Sequence, residues 1–397
     1  MNKKILQINV TANWGSTGKI AEQIGLSAIA HGWESYIAYG RMMNPSKSKL
    51  IKIGSTLDVY RHYAESRVFD NEGLASRRAT KRFFEEVDKI RPNVIHLHNI
   101  HDHYINYKIL FKYLSEKKIP VIWTQHDQWA STGHCSINTL DCEKWKNHCC
   151  NCPVNKNPFI DNSYRNFNLK KYLFTSLESL TLVAVSNWLG NQLRQSFFSN
   201  TPIKVIKNGI DTNIFKPQDI DIRDKYSLGN CKIILGVSSA WGKNKGIEDY
   251  IQLRKKLSND WIIVLVGLSP KVASKMPSGI IGIPRTQDQT ELAMFYSSAN
   301  IVMSLSSSET FGLTIAEGLA CGTPAIVYNN TAQPELLSKE TGYVVNNGDI
   351  EGLVNAVSLL AQKDKVRSSK CRERALEFYD KDKCFNSYLK LYEDVIK

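Results

Sequence analysis

Two glutamates set eight residues apart are the strongest chemical signal in the sequence. They lie in the segment SSSETFGLTIAEGLACGTP, where a predicted strand gives way to a predicted helix. Main-chain N–H groups at a helix start bind phosphate, and carboxylates accept hydrogen bonds from sugar or ribose hydroxyls. The spacing predicts that Glu309 and Glu317 face one ligand, and a pair of solvated surface glutamates is the alternative.

Two loops could approach a phosphorylated ligand. The loop WGKNKG follows a predicted strand and precedes a helix, so its Lys243 and Lys245 are expected at a phosphate-binding position. The loop NWGSTGK follows the first predicted strand, and its Gly15 and Gly18 permit close approach of a diphosphate or acceptor, or simply form a tight turn. Its spacing does not fit GxxxxGK[ST], which argues against a P-loop NTPase.

Histidines cluster after two predicted strands. The run HLHNIH contains His96, His98 and His101, and His126 and Asp127 follow the next strand. Both groups are expected at the carboxyl ends of strands, where ligands bind in α/β sheets. His96 and His98 share a strand face, but a third zinc ligand is not evident, so a catalytic metal is not expected. A structural role is preferred for His96.

Five of the nine cysteines fall in an insert at about residues 132–155. Four of them have the spacing C-x6-C-x6-C-x2-C, which fits a tetrahedral structural zinc site. These four are Cys135, Cys142, Cys149 and Cys152. Cys150 is an additional thiol, and His134 or His148 could replace one cysteine ligand. Disulfides or free thiols are the alternatives.

Alternating strand and helix patterns predict the elements that position these segments. In the first half, strands are predicted at residues 5–10, 36–39, 94–97, 120–124, 181–185 and 203–206, with helices that include 18–30 and 107–115. In the second half, strands are predicted at 232–237, 261–266, 279–283, 300–304, 324–327 and 342–345, with helices at 247–257, 290–298, 313–321 and 350–362. This alternation favours parallel, doubly wound sheets.

We therefore predict an α/β fold with two Rossmann-like domains facing a cleft. The predicted domains are residues 1–205 and 206–375, followed by a C-terminal helix at 376–397 that packs back towards the N-terminal domain. A hydrophobic content of 42% excludes wholesale disorder.

The charge is distributed unevenly over the chain. Of the net charge of +13, residues 1–205 carry +11 and residues 206–397 carry +2. A basic domain indicates an anionic partner, which could be nucleic acid, anionic lipid or a phosphorylated substrate. A predicted helix contains Arg77, Arg78, Lys81 and Arg82, followed by Phe83 and Phe84. This pattern could rest on an anionic membrane or form an ordinary basic surface.

The sequence contains no apolar stretch of the roughly 20 residues that a membrane span needs. Its N-terminal apolar run is too short for a signal peptide. We therefore expect a cytoplasmic protein, with a peripheral position at the inner face of the membrane if the basic helix binds lipid.

On these residues the sequence resembles the family 4 glycosyltransferases, which are retaining, nucleotide-sugar-dependent enzymes with the GT-B fold. The string ExFGLxxxEGLAxGxP matches the paired-glutamate motif of that family, and NGIDTNIF matches its NGxDxxxF string. The resemblance implies that Glu309 contacts hydroxyls of the donor sugar and that Glu317 contacts the ribose. The backbone of Phe311, Gly312 and Leu313 would lie against the sugar and its phosphate.

The same resemblance implies roles for the other candidates. Lys245 would hold the diphosphate, and Lys243 would substitute for an arginine of the family that is replaced by Ala240 here. His126 would hydrogen-bond the donor sugar, and Arg285 would lie near the nucleotide base. The implied catalytic residues are His126, Glu309 and Lys245, and the implied acceptor-side residues are His98, His101 and Asp127.

The resemblance also implies the substrates. Residues 1–205 would bind the acceptor, and residues 206–375 would bind a UDP- or GDP-sugar. Cysteine-rich inserts occur in a subgroup of the family associated with capsule, O-antigen and exopolysaccharide assembly. The expected acceptor is therefore a saccharide, linked to polyprenyl diphosphate in our hypothesis.

The implied mechanism is front-face substitution, because both glutamates match hydroxyl-binding positions and neither is available as a nucleophile. Lys245 and main-chain N–H groups would stabilise the leaving diphosphate. No cofactor or catalytic metal is required in this scheme. The alternatives are another GT-B enzyme, such as a nucleotide-sugar epimerase or a glycogen-type synthase, and a zinc-bearing nucleic-acid-binding protein. We expect no nucleic-acid partner.

Overall fold

The computed structural model describes residues 3–137, 142–155, 157, 159–362 and 364–397. Residues 138–141, within the predicted cysteine-rich insert, lie outside the described residues. The chain divides into two compact units. The first comprises Met1–Ile206 and Cys384–Lys397, and the second comprises Lys207–Lys383.

The first unit contains a parallel sheet that has seven strands in the described residues. The strands are β1 (Lys4–Asn9), β2 (Glu34–Tyr39), β3 (Lys49–Lys52), β4 (Val94–Leu97), β5 (Val121–Gln125), β6 (Leu180–Ala184) and β7 (Ile203–Val205). The helices between them are α1 (Gly15–Ala30), α2 (Thr56–Phe69), α3 (Arg77–Ile90), α4 (Tyr107–Lys117), α5 (Ser163–Phe174) and α6 (Asn187–Arg194). The order across the sheet is β3-β2-β1-β4-β5-β6-β7.

Two elements of the first unit differ from the prediction. Strand β3 was not predicted, because its sequence KLIK is short and carries lysine at both ends, as is common at sheet edges. Helix α1 begins at Gly15 rather than at residue 18, so Gly15 and Gly18 lie in its first turn and not in a loop. A Cβ atom on Gly18 would lie 2.6 Å from Thr11 Oγ1, so packing inside the protein already requires this glycine.

The second unit contains a parallel sheet with six strands in the part of the chain that the structure describes. The strands are β8 (Lys232–Val237), β9 (Trp261–Val266), β10 (Ile280–Ile283), β11 (Ile301–Ser304), β12 (Ala325–Tyr328) and β13 (Gly342–Val345). The helices are α7 (Ile247–Lys256), α8 (Pro270–Ala273), α9 (Gln289–Ser298), α10 (Leu313–Ala320), α11 (Ile350–Leu359) and α12 (Lys365–Phe378). The order across the sheet is β10-β9-β8-β11-β12-β13.

The final helix, α13 (Lys381–Val395), contributes most of its residues to the first unit. Its apolar residues recur at helical spacing and are buried in the core of that unit with residues of β1, β4 and β5. The buried residues of the helix are Phe385, Tyr388, Leu389, Leu391 and Tyr392. The sheet is therefore covered by helices, as a parallel sheet with apolar strands requires.

Each sheet has a point at which the strand order reverses. It lies between β1 and β4 in the first unit and between β8 and β11 in the second. Ligands of doubly wound sheets bind beyond the carboxyl ends of the strands at such a switch point. Among the described helices, none is both long enough and apolar enough to cross a membrane.

Candidate functional site

In the second unit, the segments that follow β8 and β11 meet at the switch point. A single helical turn, Lys243–Lys245, follows β8, and the N–H of Ser307 donates to the carbonyl of Asn244 at 2.9 Å. Gly246 has a φ of +70°, and a Cβ atom there would lie 2.3 Å from the carbonyl oxygen of Leu305. Glycine is therefore needed to hold the lysine turn against the end of β11.

The structure brings Lys245 and Glu309 together. Lys245 Nζ lies 2.5 Å from Glu309 Oε1, and the two side chains are 27% and 26% exposed. The main chain of Glu309 is held on both sides, because its N–H donates to Thr331 Oγ1 at 2.9 Å and its carbonyl accepts from the N–H of Ala332 at 3.1 Å. This half-buried ion pair leaves both charges within reach of a ligand.

Helix α10 begins immediately beyond this ion pair. Gly312 precedes its first residue, Leu313, with a φ of +102°, and contributes no side chain to cap the first N–H groups. Phe311 is 4% exposed, and its ring centroid lies 5.8 Å from that of Tyr379, which anchors the turn. Uncapped N–H groups at a helix start favour an anion or an oxygen-rich ligand.

Glu317 lies one turn further along α10 and is half-buried. Its Oε2 accepts a hydrogen bond from the hydroxyl of Tyr296 at 2.8 Å. Tyr296 is fully buried, and burial followed by the charge of Glu317 raises the pKa of its hydroxyl well above the usual value. The tyrosine therefore remains a hydrogen-bond donor that fixes the direction of this carboxylate.

The other two predicted cations of the second unit, Lys243 and Arg285, are more exposed than Lys245. Lys243 is exposed in the same turn as Lys245. Arg285 is exposed in the segment that follows β10, the edge strand of the sheet, two strands away from β8. Neither side chain takes part in the contact between Lys245 and Glu309.

In the first unit, the predicted histidines lie at the ends of β4 and β5. His98 Nδ1 lies 3.0 Å from His126 Nε2, and His98 Nε2 lies 3.0 Å from Gln7 Oε1. His98 is only 1% exposed, whereas His126 is half-buried. His126 is therefore the accessible member of this pair, and His98 lies beneath it. Burial lowers the pKa of His126 to about 4, so its imidazole is neutral at physiological pH.

His96 is fully buried, and both of its ring nitrogens are hydrogen-bonded. Its Nδ1 lies 2.6 Å from the hydroxyl of Tyr392, and its Nε2 lies 2.8 Å from Thr124 Oγ1. These contacts give His96 a structural role, in which it connects α13 to the sheet of the first unit.

His101 and Asp127 form an ion pair at the same edge of the sheet. His101 Nε2 lies 2.8 Å from Asp127 Oδ2, and the N–H of Trp129 donates to Asp127 Oδ1 at 2.9 Å. Burial by itself would lower the pKa of His101, but the charges of Asp127 and Asp102 outweigh it and raise the pKa to about 10. Burial would also raise the pKa of the Asp127 carboxyl. The positive charge of His101 outweighs burial, so the pKa of Asp127 is lowered. The pair is therefore charged at neutral pH.

A buried lysine supports the segment that carries Asp127. Lys170, on α5, is 1% exposed and donates to the carbonyls of Trp129 and Thr132 at 2.8 and 3.1 Å. Its Nζ also lies 3.5 Å from the centroid of the Trp129 ring, which is a cation–π contact. Burial lowers the pKa of Lys170 to about 7.

The cysteine-rich insert surrounds a cavity next to this segment. All five of its cysteines line the cavity, namely Cys135, Cys142, Cys149, Cys150 and Cys152. Cys149 Sγ accepts a hydrogen bond from the N–H of Gly133 at 3.3 Å. Two groups of potential metal ligands with atoms within 4.8 Å of one another occur in the described residues, Asp70–His134–Asp161 and Glu72–His101–Asp102, and neither contains a cysteine.

Sequence reasoning missed Gln7 and Lys170. The signal for Gln7 was its position as a polar residue inside the buried run ILQIN, because a buried polar side chain requires a hydrogen-bond partner. Lys170 had no such signal, since the KKY sequence around it also fits an exposed helix surface.

Two protein-family models match the chain. The model described as Glycosyltransferase Family 4 matches residues 24–214, and the model described as Glycosyl transferases group 1 matches residues 218–378. The first match covers most of the first unit, and the second covers most of the second unit.

A curated relative and two solved proteins illustrate the similarity. The relative is named "Putative colanic acid biosynthesis glycosyl transferase WcaC", from Escherichia coli (strain K12), and is 23% identical over 88% of this chain and 89% of its own. The structure of sucrose-phosphate synthase from Thermosynechococcus elongatus has a TM-score of 0.77 at 17% identity, with 99% of each chain covered.

The second solved protein is Anabaena Alr3699/HepE. Its complex with UDP has a TM-score of 0.68 at 14% identity and covers 99% of this chain and 100% of its own. A further structure of the same protein is a complex with UDP-glucose, with a TM-score of 0.66 at 12% identity and coverage of 98% and 99%. At these identities the likeness concerns the fold, and the predicted fold class of two Rossmann-like domains of the GT-B type is confirmed.

Proposed function

This chain belongs to the family 4 glycosyltransferases, and from that membership we propose that it moves a hexose-type sugar from a nucleotide-diphosphate sugar to a saccharide acceptor with retention of configuration. The observation that carries the proposal is the Lys245–Glu309 ion pair beside the start of α10. An ammonium group suits a diphosphate, and a carboxylate suits sugar hydroxyls. The solved complexes of HepE with UDP and UDP-glucose support a nucleotide sugar as the donor.

In the proposed reaction, Lys245 exchanges Glu309 for the diphosphate of the donor. Glu309 then accepts hydrogen bonds from the donor sugar, and Glu317, oriented by Tyr296, accepts them from the ribose. His126 contacts a hydroxyl of the transferred sugar. Lys243 adds positive charge near the diphosphate, and Arg285 lies on the side of the base.

The bond that breaks joins the anomeric carbon to a diphosphate oxygen, and the acceptor oxygen attacks the same face of that carbon. The acceptor proton passes to the leaving phosphate oxygen. Lys245 and the N–H groups at the start of α10 stabilise the charge that develops on the diphosphate, which is the main source of the rate enhancement in this scheme. The scheme needs no nucleophilic carboxylate, which leaves both glutamates for hydroxyl binding.

The acceptor belongs to surface polysaccharide synthesis in this proposal. The name of the Escherichia coli relative, which refers to colanic acid biosynthesis, supports that assignment. The charged His101–Asp127 pair is the proposed contact for the acceptor hydroxyls. We propose that the acceptor is carried on polyprenyl diphosphate at the cytoplasmic face of the membrane.

The activity can be tested with a panel of UDP- and GDP-sugars, offered with and without a saccharide linked to polyprenyl diphosphate. We expect one donor to be consumed only when the acceptor is present, and its sugar to appear on the acceptor. Glu309→Gln should lower this transfer about 10²–10³-fold, whereas Glu351→Gln, in the exposed ion pair with Lys256, should leave it unchanged. Conversion of a donor to its epimer without an acceptor would support the epimerase alternative instead.

The two phenylalanines of α3 are not part of a membrane-binding surface. Phe83 and Phe84 are 4% and 5% exposed, so they belong to the core and cannot enter a membrane. A group of apolar residues, each more than half exposed, lies instead on α2, together with Phe159 from the segment before α5. They are Leu57, Tyr60, Tyr63, Val68, Phe69 and Phe159.

These apolar residues lie next to the basic face of α3. Arg77 forms an ion pair with Glu65 of α2. Hydrogen bonds from Ser55 are the main cause of the lowered pKa of Asp58 on α2, and the charge of Arg82 makes a smaller contribution. We name the exposed residues of α2 and the basic residues of α3 the α2–α3 surface. Apolar residues flanked by cations suit an anionic bilayer.

Vesicle flotation tests this surface. The full chain should float with vesicles that contain anionic lipid and not with neutral ones, and a double substitution, Lys81→Glu with Arg82→Glu, should reduce binding at least about tenfold. The matched control is Lys108→Glu with Lys112→Glu on α4, where both side chains are also exposed. Equal recovery with neutral and anionic vesicles would contradict the proposal.

A structural zinc ion in the cysteine-rich insert is a separate proposal. The cavity collects the four predicted ligands, Cys135, Cys142, Cys149 and Cys152, and Cys149 already accepts an N–H hydrogen bond on sulfur. Zinc binding would have to draw the sulfur atoms closer, because tetrahedral zinc needs them about 4 Å apart and the close groups of ligand atoms in the described residues contain no cysteine.

Metal analysis of the full chain, purified without chelator, tests the zinc proposal. We expect about one zinc ion per chain, lost in Cys152→Ser and retained in Cys231→Ser, which changes a cysteine of the second unit. A wild-type protein without zinc, or a Cys152→Ser protein that keeps it, would overturn the proposal.

A further inference from the structure

Polar side chains from three neighbouring strands form a hydrogen-bonded chain that runs from Gln7 through His98 to His126. Gln7 belongs to β1, His98 follows β4 and His126 follows β5, and these strands are adjacent in the sheet. Gln7 is fully buried and His98 is 1% exposed. Because water is excluded from the two inner members, their hydrogen bonds must be satisfied by each other and by the protein.

The first hydrogen bond fixes the orientation of the Gln7 amide. Gln7 Nε2 donates to the carbonyl oxygen of Ala21 in α1 at 2.8 Å. If the amide were turned over, its Oε1 would face that carbonyl and two acceptors would meet. The Oε1 atom of Gln7 must therefore point the other way, towards His98.

The second hydrogen bond fixes the proton of His98. Its Nε2 lies 3.0 Å from Gln7 Oε1, which can only accept, so the proton lies on Nε2. The groups that face His98 are Gln7, His96 and His126, and no carboxylate is among these contacts. Burial and the neighbouring histidines lower the pKa of His98 well below its usual value, so the ring is neutral and its Nδ1 carries a lone pair.

The third hydrogen bond fixes the proton of His126 in the same way. His98 Nδ1, which accepts, lies 3.0 Å from His126 Nε2, so the proton of neutral His126 lies on Nε2. The two imidazole rings are nearly coplanar and meet edge to edge, with centroids 5.3 Å apart and planes 18° apart, as a hydrogen bond between ring nitrogens requires. The Trp123 indole N–H donates to the His98 carbonyl at 2.8 Å and holds the backbone at His98.

We propose that Gln7 and His98 are positioning residues that fix His126 as the tautomer protonated on Nε2, so that His126 Nδ1 accepts a hydrogen bond from a hydroxyl of the transferred sugar. The sugar contact rests on the proposed function, whereas the tautomer does not. Without this chain the two tautomers of an imidazole are close in energy, and the ring could equally donate from Nδ1.

The tautomer is measured directly by long-range ¹H–¹⁵N NMR correlation of the histidine side chains in the full chain at neutral pH. His126→Gln identifies the signals of His126. We expect Nε2 of His126 to have the shift of a protonated nitrogen and Nδ1 that of an unprotonated one. The reverse assignment, or an average of the two, would overturn the proposal.

Substitution of Gln7 tests whether this residue determines the tautomer of His126. Gln7→Met keeps the size and burial of the side chain but removes the acceptor, so the His126 signals should shift towards the mixture of tautomers. Gln125→Met is the matched control, because Gln125 is also a buried glutamine, at 2% exposure, and lies on β5 of the same sheet. It should leave the His126 signals unchanged. An unchanged tautomer in Gln7→Met would overturn the proposal.

The sugar contact is tested with the accepted nucleotide sugar and its deoxy analogues. Wild type should prefer the natural donor over one of the analogues by at least about tenfold in kcat/KM. In Gln7→Met this preference should fall towards one, a change that loss of folded protein alone would not produce. A preference that is unchanged in Gln7→Met would overturn the sugar contact. A protein that transfers no sugar at all would refute the proposed function, and the NMR result would still decide the tautomer.

Discussion

The two switch points have the same topology and opposite chemistry. In the first unit, the side chains at the ends of β4 and β5 are held in a buried network of imidazoles and a carboxylate, in which Gln7, His98 and Asp127 have partners inside the protein. In the second unit, the segments that follow β8 and β11 hold the Lys245–Glu309 ion pair, about a quarter exposed. The polar groups of the first arrangement are held by partners inside the protein, whereas in the proposed reaction the second arrangement exchanges Glu309 for the donor diphosphate.

The difference also lies in which groups can titrate. All nine histidines precede residue 150, so the first unit contains every one of them and the second unit has none. A side chain that titrates between pH 5 and 8 is ordinarily a histidine. We therefore expect responses to pH to arise in the first unit and responses to a nucleoside diphosphate to arise in the second.

The largest expected effect separates catalysis from nucleotide binding in the second unit. Glu309→Gln should lower kcat/KM for sugar transfer about 10²–10³-fold, because a hydroxyl contact at the reacting sugar is lost. The same variant should bind a nucleoside diphosphate as tightly as wild type or more tightly, since Lys245 loses its competing carboxylate. A transfer rate within about threefold of wild type would remove Glu309 from the site.

The next effect concerns pH and the first unit. Histidines of the unfolded chain titrate near 6.5, whereas the folded pKa of His126 is about 4 and that of His62 about 3, and burial also lowers those of His96 and His98. As pH falls from 6.5, the unfolded state binds more protons than the folded state, so stability is lost.

We expect a loss of about 4 kcal/mol in the first unit between pH 6.5 and 5.5, from roughly 1 kcal/mol for each of these four histidines. Hydrogen exchange followed by mass spectrometry, corrected for the intrinsic effect of pH, can assign the loss to peptides of each unit. An equal loss of protection in the second unit would contradict the separation of the two.

The ion pair of the first unit gives the third effect. Asp127→Asn leaves His101 buried without its main counter-charge, and should cost about 2–3 kcal/mol of unfolding free energy at pH 7. Wild type should lose this contribution as pH rises from 6.5 towards 10, because the folded pKa of His101 is raised to about 10.

Denaturant titration at several pH values measures this contribution. Asp88→Asn is the control, since Asp88 is 49% exposed in its ion pair with Lys117, and should cost less than about 1 kcal/mol. A similar cost for both variants would show that the His101–Asp127 pair is not held in a buried setting.

The smallest effect concerns affinity. Lys245→Met should weaken the binding of the preferred nucleoside diphosphate about 10- to 100-fold, which is the usual contribution of a charge-assisted hydrogen bond. Lys256→Met, in an exposed ion pair of the same unit, should have no such effect, and Lys243→Met should have a smaller one than Lys245→Met. Titration calorimetry with UDP and GDP measures all three, and equal affinities would contradict the role of Lys245.

Sequence reasoning succeeded where local pattern determines position. The alternation of apolar and amphipathic segments gave both parallel sheets, and the motif around Glu309 placed that residue after a strand and before a helix. It failed where a contact depends on distant parts of the chain. The pairing of Lys245 with Glu309 depends on the reversal of strand order between β8 and β11, which local pattern does not reveal.

Tertiary packing also decides which face of a helix is exposed. The basic sequence of α3 predicts a surface that includes Phe83 and Phe84, but the helix buries that face against the core and exposes only the other. The sequence around Lys170 is also typical of a surface lysine. Its burial arises because the loop after β5 packs over it and contributes two carbonyls and an indole ring. Burial of a charged side chain is a property of tertiary packing and leaves no trace in a single sequence.

A crystal structure of the chain with the preferred nucleoside diphosphate would show where the donor binds. We expect the phosphates to lie at the start of α10 within hydrogen-bond distance of Lys245 Nζ, and Glu309 to have separated from this lysine. A nucleotide bound elsewhere, with Lys245 and Glu309 still paired, would contradict this expectation.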